Sequence, residues 1–151
     1  MDKIKVYMDN CCYGRPFDDL TQKRIKDEAA AKMFIQSLVR YKSISLCSSY
    51  VLTYEISGIP SESNREHIYS FVMGFSDCFV GYEQEKEAIL LTNEIMETGI
   101  KRKDASHLAC SIIAECDYFI TTDDRVLKFN TKRIKVINPI DFVNKWREQN
   151  D

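Results

Sequence analysis

At 151 residues, 44% hydrophobic and 29% charged, the chain has the length and mixture of one soluble globular domain with a full core, which excludes a disordered or fibrous polypeptide. A net charge of −2 gives no global basic footprint for nucleic acid, and no apolar run approaches the roughly 20 residues of a membrane span. The opening MDKIKVYMD is charged and strand-like, unlike a signal peptide, so a single domain over 1–151 and a cytoplasmic location are expected.

In chain order, Ile4, Val6 and Met8 alternate with Lys5 and Tyr7, which predicts a first strand ending at Asp9. Residues 10–19 (NCCYGRPFDD) read as a long irregular connection, broken by Gly14 and Pro16. A cysteine–arginine phosphate loop is excluded there, because Arg15 follows Cys12 by three positions and Cys11 by four, not six. A helix is predicted from Thr21, with Ile25, Ala29, Met33, Phe34 and Leu38 inward. Ser43–Cys47 is a second strand, after which Ser48 or Ser49 caps a helix holding Val51, Leu52, Glu55 and Ile56. Gly58 and Pro60 end that helix, and Ser61 opens another. Cys78–Val80 is a third strand, and a helix over 83–97 turns Ala88, Leu91 and Ile95 inward before Gly99.

The stretch Lys103–Asp124, KDASHLACSIIAECDYFITTDD, predicts a helix opened by Asp104. Ala105, Leu108, Ala109, Ile112, Ile113 and Cys116 form its apolar stripe. A tight turn and a buried strand from Tyr118 to Thr122 follow, with Asp123 and Asp124 at the strand's end. A short helix over 124–128, a last strand through Ile134, Val136 and Ile137, and a helix from Pro139 carrying Phe142, Val143 and Trp146 complete the chain. Strands alternating with helices predict a mainly parallel sheet covered on both faces, an α/β/α sandwich. The strand ending at Asp9 should lie beside the strand ending near Asp123, so that their acids share one site.

Six cysteines without a C-x-x-C pair, and only two histidines, argue against a structural zinc site. Cys47, Cys110 and Cys116 fall on apolar faces and read as free core residues. Positive charge is local: Lys23, Arg24 and Lys26 read as a solvated face, whereas the clusters at 101–103 and 125–133 flank the acids and suit phosphate.

Asp9, Asp104 and Asp123 each have an ordinary explanation as turn or helix caps, and Glu55 divides evenly between solvent and site. Together they form a set of converging carboxylates, which repel one another unless a counter-charge is present. Mg²⁺ or Mn²⁺, which prefer oxygen ligands and retain waters, would supply it.

On Asp9 in VYMDN, Glu55 in LTYEI, Asp104 in KDASHLA and Asp123 in ITTDDRVL, the chain resembles the PIN domain family of metal-dependent nucleases, which includes the ribonuclease toxins of toxin–antitoxin pairs. The Asp-Ala-x-x-Leu-Ala helix followed by Thr-x-Asp is the most specific part, and Glu55 the weakest match. The resemblance implies an α/β/α sandwich, Mg²⁺ or Mn²⁺ at the acids, and cleavage of RNA. It implies a supporting role for Thr121 and places Asn10 where the family often has a small polar residue. It also suggests an antitoxin partner. Asp9, Asp104 and Asp123 are the expected ligands and Asp124 a duplicate of the last. Arg15, Arg102, Lys103 and Arg125 are candidates for RNA phosphates, and a homodimer is a further expectation. The chain departs from the family in its long Cys11–Cys12 loop and in His107, one turn beyond Asp104. Two rivals stand beside this reading. A haloacid-dehalogenase-type phosphatase would use Asp9 as nucleophile, although that family's second acid is Cys11 here; the other rival is a non-catalytic binding module.

Overall fold

Five short apolar runs become strands in the computed structural model, which describes residues 3–150; the extreme ends of the expected domain lie outside them. They are β1 (Lys5–Met8), β2 (Ser45–Ser49), β3 (Ser76–Val80), β4 (Tyr118–Ile120) and β5 (Lys135–Ile137). All four pairings are parallel, in the order β3-β2-β1-β4-β5. β1 is central: Tyr7 lies opposite Cys47 on one side and Phe119 on the other. The expected neighbourhood of β1 and β4 is therefore present. The chain moves outward from β1 to β2 and β3, then crosses back to β4 and β5. The sheet's switch point thus falls between β1 and β4, where open α/β sheets leave a crevice at their C-terminal edge.

The helices are α1 (Asn10–Gly14), α2 (Lys23–Arg40), α3 (Tyr50–Ser57), α4 (Glu62–Phe75), α5 (Glu85–Met96), α6 (Arg102–Ile113), α7 (Asp124–Leu127) and α8 (Pro139–Asn150). Right-handed crossovers on a sheet that reverses direction put helices on both faces. α5 packs on α6, and α2 packs on α8. Between them the buried strand residues Val6, Tyr7, Met8, Leu46, Cys47, Phe119 and Ile120 form the core. No helix among the described residues is long and apolar enough to cross a membrane.

Several expectations need correction. Residues 10–19 are not an irregular loop: α1 begins directly after Asp9, and Arg15–Phe17 continue as a 3-10 turn. Asp9 caps α1 by accepting from Cys12 N, and Pro16 fits the first turn of the 3-10 segment because its missing N–H is not needed there. α2 starts at Lys23, two residues late, and Met33 is 46% exposed. Ile35 and Val39 are buried instead, together with Glu28, Lys32 and Gln36, because α2 packs on both the 3-10 turn and α8. The second strand is displaced to Ser45–Ser49, and its last residue, Ser49, is the one that caps α3. The helix expected over 83–97 begins at Glu85, after a 3-10 turn over Tyr82–Gln84. All six cysteines are free, and Cys12, Cys47, Cys110 and Cys116 are buried.

Candidate functional site

Asp9 ends the central strand and is almost fully buried. Both of its oxygens are held. Thr121 Oγ1 donates to Oδ2 at 2.6 Å, and Cys12 N donates to Oδ1 at 3.2 Å. The same Thr121 oxygen accepts from Asp123 N at 3.1 Å, so one hydroxyl fixes the first acid and the backbone of the last. Burial raises the pKa of Asp9, and the Asp104 charge adds to this, although Thr121, His107 and Cys12 oppose it.

Asp104 is the third residue of α6, and the N-cap is Lys101; the expectation that Asp104 opens the helix is corrected. No side chain caps α6 by a hydrogen bond, so Asp104 does not serve as its cap. Its charge still lies in the first turn, where the helix dipole favours it. Its pKa is nevertheless raised, first by partial burial and then by Asp123, against His107, Arg125 and Lys103. Asp123 caps α7 by accepting from Arg125 N at 2.9 Å. Burial alone would raise its pKa, but the Arg125 guanidinium and backbone bring it below the ordinary carboxylate value. Asp124 separates from this group: it is exposed and held by Arg24 at 2.7 and 2.9 Å.

Glu55 comes from α3 and is 13% exposed, so its side chain is not on a solvent face. Lys103 Nζ stands 2.9 Å from Oε2, off the axis of a hydrogen bond, and His107 Nε2 is 3.5 Å from Oε1. His107 is buried, and burial lowers its pKa to about 4 despite Asp9 and Asp104. Its Nδ1 is 2.7 Å from the Tyr7 hydroxyl, which is 2.7 Å from Ser49 Oγ, and Ser49 accepts from Leu52 N. This chain ties α6, β1 and α3 behind the acids. Tyr7 and Ser49 were missed in the sequence; a hydroxyl on each of two adjoining core strands was the only available sign.

Cys11 lies among the acids. Desolvation of its sulfur and the charges of Asp9, Asp123 and Asp104 push its thiol up to about 12. Cys12 is buried and donates to Ile120 O at 3.3 Å, and burial pushes its thiol well above the ordinary value. Of the expected phosphate contacts, Arg15 is engaged by Glu28 and Asp18, Lys103 by Glu55 and Arg125 by Asp123. Arg102, the first residue of α6, is exposed.

Asp9, Asp104 and Asp123 thus come from three segments into one electrostatic neighbourhood, with Glu55 on its flank. Among the described residues, no three Asp, Glu, His or Cys side chains form a ready cage for a metal ion. Mg²⁺ is usually held by one or two carboxylates together with waters and substrate phosphate, so an open oxygen-donor set of this kind fits its chemistry.

Neither a family model nor a curated protein matches the chain. Solved structures do. A chain of VapBC2 from Rickettsia felis, crystallised with a DNA fragment from its promoter, has a TM-score of 0.55 at 12% identity, covering 89% of this chain and 98% of that one. A chain of FitAcB from Neisseria gonorrhoeae has a TM-score of 0.53 at 13% identity, covering 89% and 97%. At such low identity the likeness bears on architecture, and by it the chain has a PIN-like α/β/α fold.

Proposed function

We propose that the chain is a divalent-metal-dependent endoribonuclease that uses Mg²⁺ or Mn²⁺ at Asp9, Asp104 and Asp123. The observation that carries this reading is the gathering of three aspartates at the switch point, two of them with raised pKa in spite of nearby His107, Arg125 and Lys103. Such a group is costly in an uncharged setting and suits a bound cation. When bound, the cation supplies Lewis-acid stabilisation of phosphate charge and activation of water. The protein's own part is to hold the oxygens in place. Thr121 orients Asp9 and Asp123, the Tyr7–His107 pair backs Glu55, and Glu55 takes the proton from attacking water in this scheme. Water is the attacking group in this scheme.

The family resemblance extends the proposal to a cytoplasmic toxin with a small antitoxin over the acidic cleft, in a homodimer. The likeness to VapBC2 and FitAcB supports the fold on which this rests. The test is cleavage of end-labelled single-stranded RNA in Mg²⁺, Mn²⁺ and EDTA. Cleavage should require the divalent ion and fall by more than about 100-fold in Asp104→Asn. Cleavage that persists in EDTA, or that is unaltered in Asp104→Asn, would overturn the proposal. Co-expression with a neighbouring small gene tests the toxin extension: the chain alone should slow growth, and the partner should relieve it.

A further inference from the structure

Two hollows lie against the acids, and they differ in character. One is lined by the charged side chains Arg15, Arg24, Asp123 and Arg125, with Cys11 beside them. The other, of about 570 Å³, is walled by Val51, Tyr54, Ile59 and Pro60, with Asn10, Glu55 and Lys103 among its polar residues. The first two residues of α1, directly after Asp9, line different hollows: Asn10 this one and Cys11 the other. The apolar hollow is therefore within a short reach of the proposed cleavage point.

We propose that this hollow is a nucleobase subsite, which takes one unstacked base of a single-stranded RNA while the adjoining phosphate lies at the acids. The proposal rests on the nuclease reading above and adds where the substrate is gripped. Four observations favour a base over an apolar protein segment. Tyr54, in the last turns of α3, is 77% exposed at this hollow and presents a ring on which an unstacked base can lie. Ile59 and Pro60 line the same hollow and add aliphatic surface beside the ring. The amide oxygen of Asn10 is buried without a partner, and an amide can pair with the polar edge of a base. Lys103 brings a 69% exposed ammonium into the lining, beside Lys101 and Arg102, matching the negative backbone on which the base hangs. An aromatic platform beside positive charge is the usual means of holding single-stranded nucleic acid.

The experiment compares a short single-stranded RNA with the same RNA made abasic at each position flanking the cut, using wild type, Tyr54→Ala and Tyr54→Phe in Mn²⁺. Tyr54→Ala should raise KM for intact RNA roughly 10-fold with a smaller change in kcat, and Tyr54→Phe should restore it, since the ring and not its hydroxyl is required. In wild type, removing one particular base should cost a similar factor. In Tyr54→Ala the same abasic RNA should cost almost nothing more, because ring and base are partners in one contact. If wild type cleaves RNA but Tyr54→Ala does so with unchanged KM, or the abasic penalty is equal in both proteins, the base does not sit there. The hollow then belongs to another occupant, such as a protein segment, and the nuclease reading survives. If wild type does not cleave RNA at all, the nuclease reading fails first and this inference with it.

Discussion

Thr121 shows how much a single hydroxyl carries at this site. It donates to a buried carboxylate and accepts from the backbone of the next acid but one, so it fixes two segments at once. Thr121→Val keeps the shape and removes both bonds. The change should cost about 1–3 kcal/mol in urea unfolding, because it leaves buried polar groups unpaired. The pKa of Asp9 should rise further, since the Thr121 bond is what chiefly opposes burial there. His107 makes a second residue-level prediction. Its pKa is depressed from 6.5 to about 4, so the unfolded chain takes up a proton at higher pH than the folded one. Its contribution is therefore present above pH 6.5 and lost as pH falls towards 4, on the order of 3 kcal/mol. His107→Gln should flatten melting temperature against pH in that window; an unaltered slope would show that the imidazole is not buried as neutral.

At the scale of elements, Glu28 links three of them. It is fully buried, yet it accepts from Arg15 Nε at 2.9 Å, Arg24 Nε at 3.3 Å and Asn138 Nδ2 at 2.6 Å. The partners differ in exposure: Arg15 is 22% exposed and Arg24 49%. Removing the carboxylate frees guanidinium groups that can turn to water, whereas removing Arg15 takes the 2.9 Å guanidinium from a buried carboxylate and leaves it only the longer Arg24 contact and Asn138. Arg15→Met should therefore destabilise by about 3 kcal/mol, and Glu28→Met by clearly less, in paired denaturation curves. Equal losses would mean that Arg24 and Asn138 alone satisfy Glu28. The same network explains why α2 was only partly legible. Its buried face includes Glu28, Lys32 and Gln36, which read as solvent-facing in a periodicity count, and this shifted the apolar stripe onto Met33. α1 was hidden because Gly14 and Pro16 signal a break, so the cap at Asp9 reads as starting a turn and not a helix. α6 and β4, by contrast, were readable because their inward residues are mostly apolar and keep the 3.6-residue period in the helix; the buried His107 and Ser111 are the exceptions.

The whole molecule explains why acids that are far apart in sequence meet. Asp9 and Thr121 end neighbouring strands only because the chain reverses direction between β3 and β4, and that reversal creates the crevice. Strand–helix alternation made the parallel sheet legible, and the acids at strand ends made its crevice legible. What was not legible was the place of Asp104 in its helix: it was expected at the opening, whereas the N-cap is Lys101 and Asp104 is the third helical residue. Its carboxylate then has two opposing influences. The helix dipole favours the charge by about 0.3–1 kcal/mol. Partial burial and the Asp123 charge disfavour it, and the raised pKa says that they win. A carboxyl whose folded pKa lies above its unfolded value of 3.8 costs nothing below that pH. The fold pays an increasing penalty as pH rises through the folded pKa. Asp104→Asn removes the penalty without changing size. In EDTA, the variant should melt with wild type near pH 3.5, and above wild type at pH 7. Added Mn²⁺ should then raise wild type more than the variant, because a ligand specific to the folded state, at free concentration L, stabilises it by RT ln(1 + L/Kd), more where its affinity is higher. A variant that melts below wild type at pH 7 in EDTA would show that the dipole prevails and that the carboxylate is there to stabilise α6. A variant that melts higher, but gains as much from Mn²⁺ as wild type, would keep the electrostatic account and remove Asp104 from the proposed metal ligands.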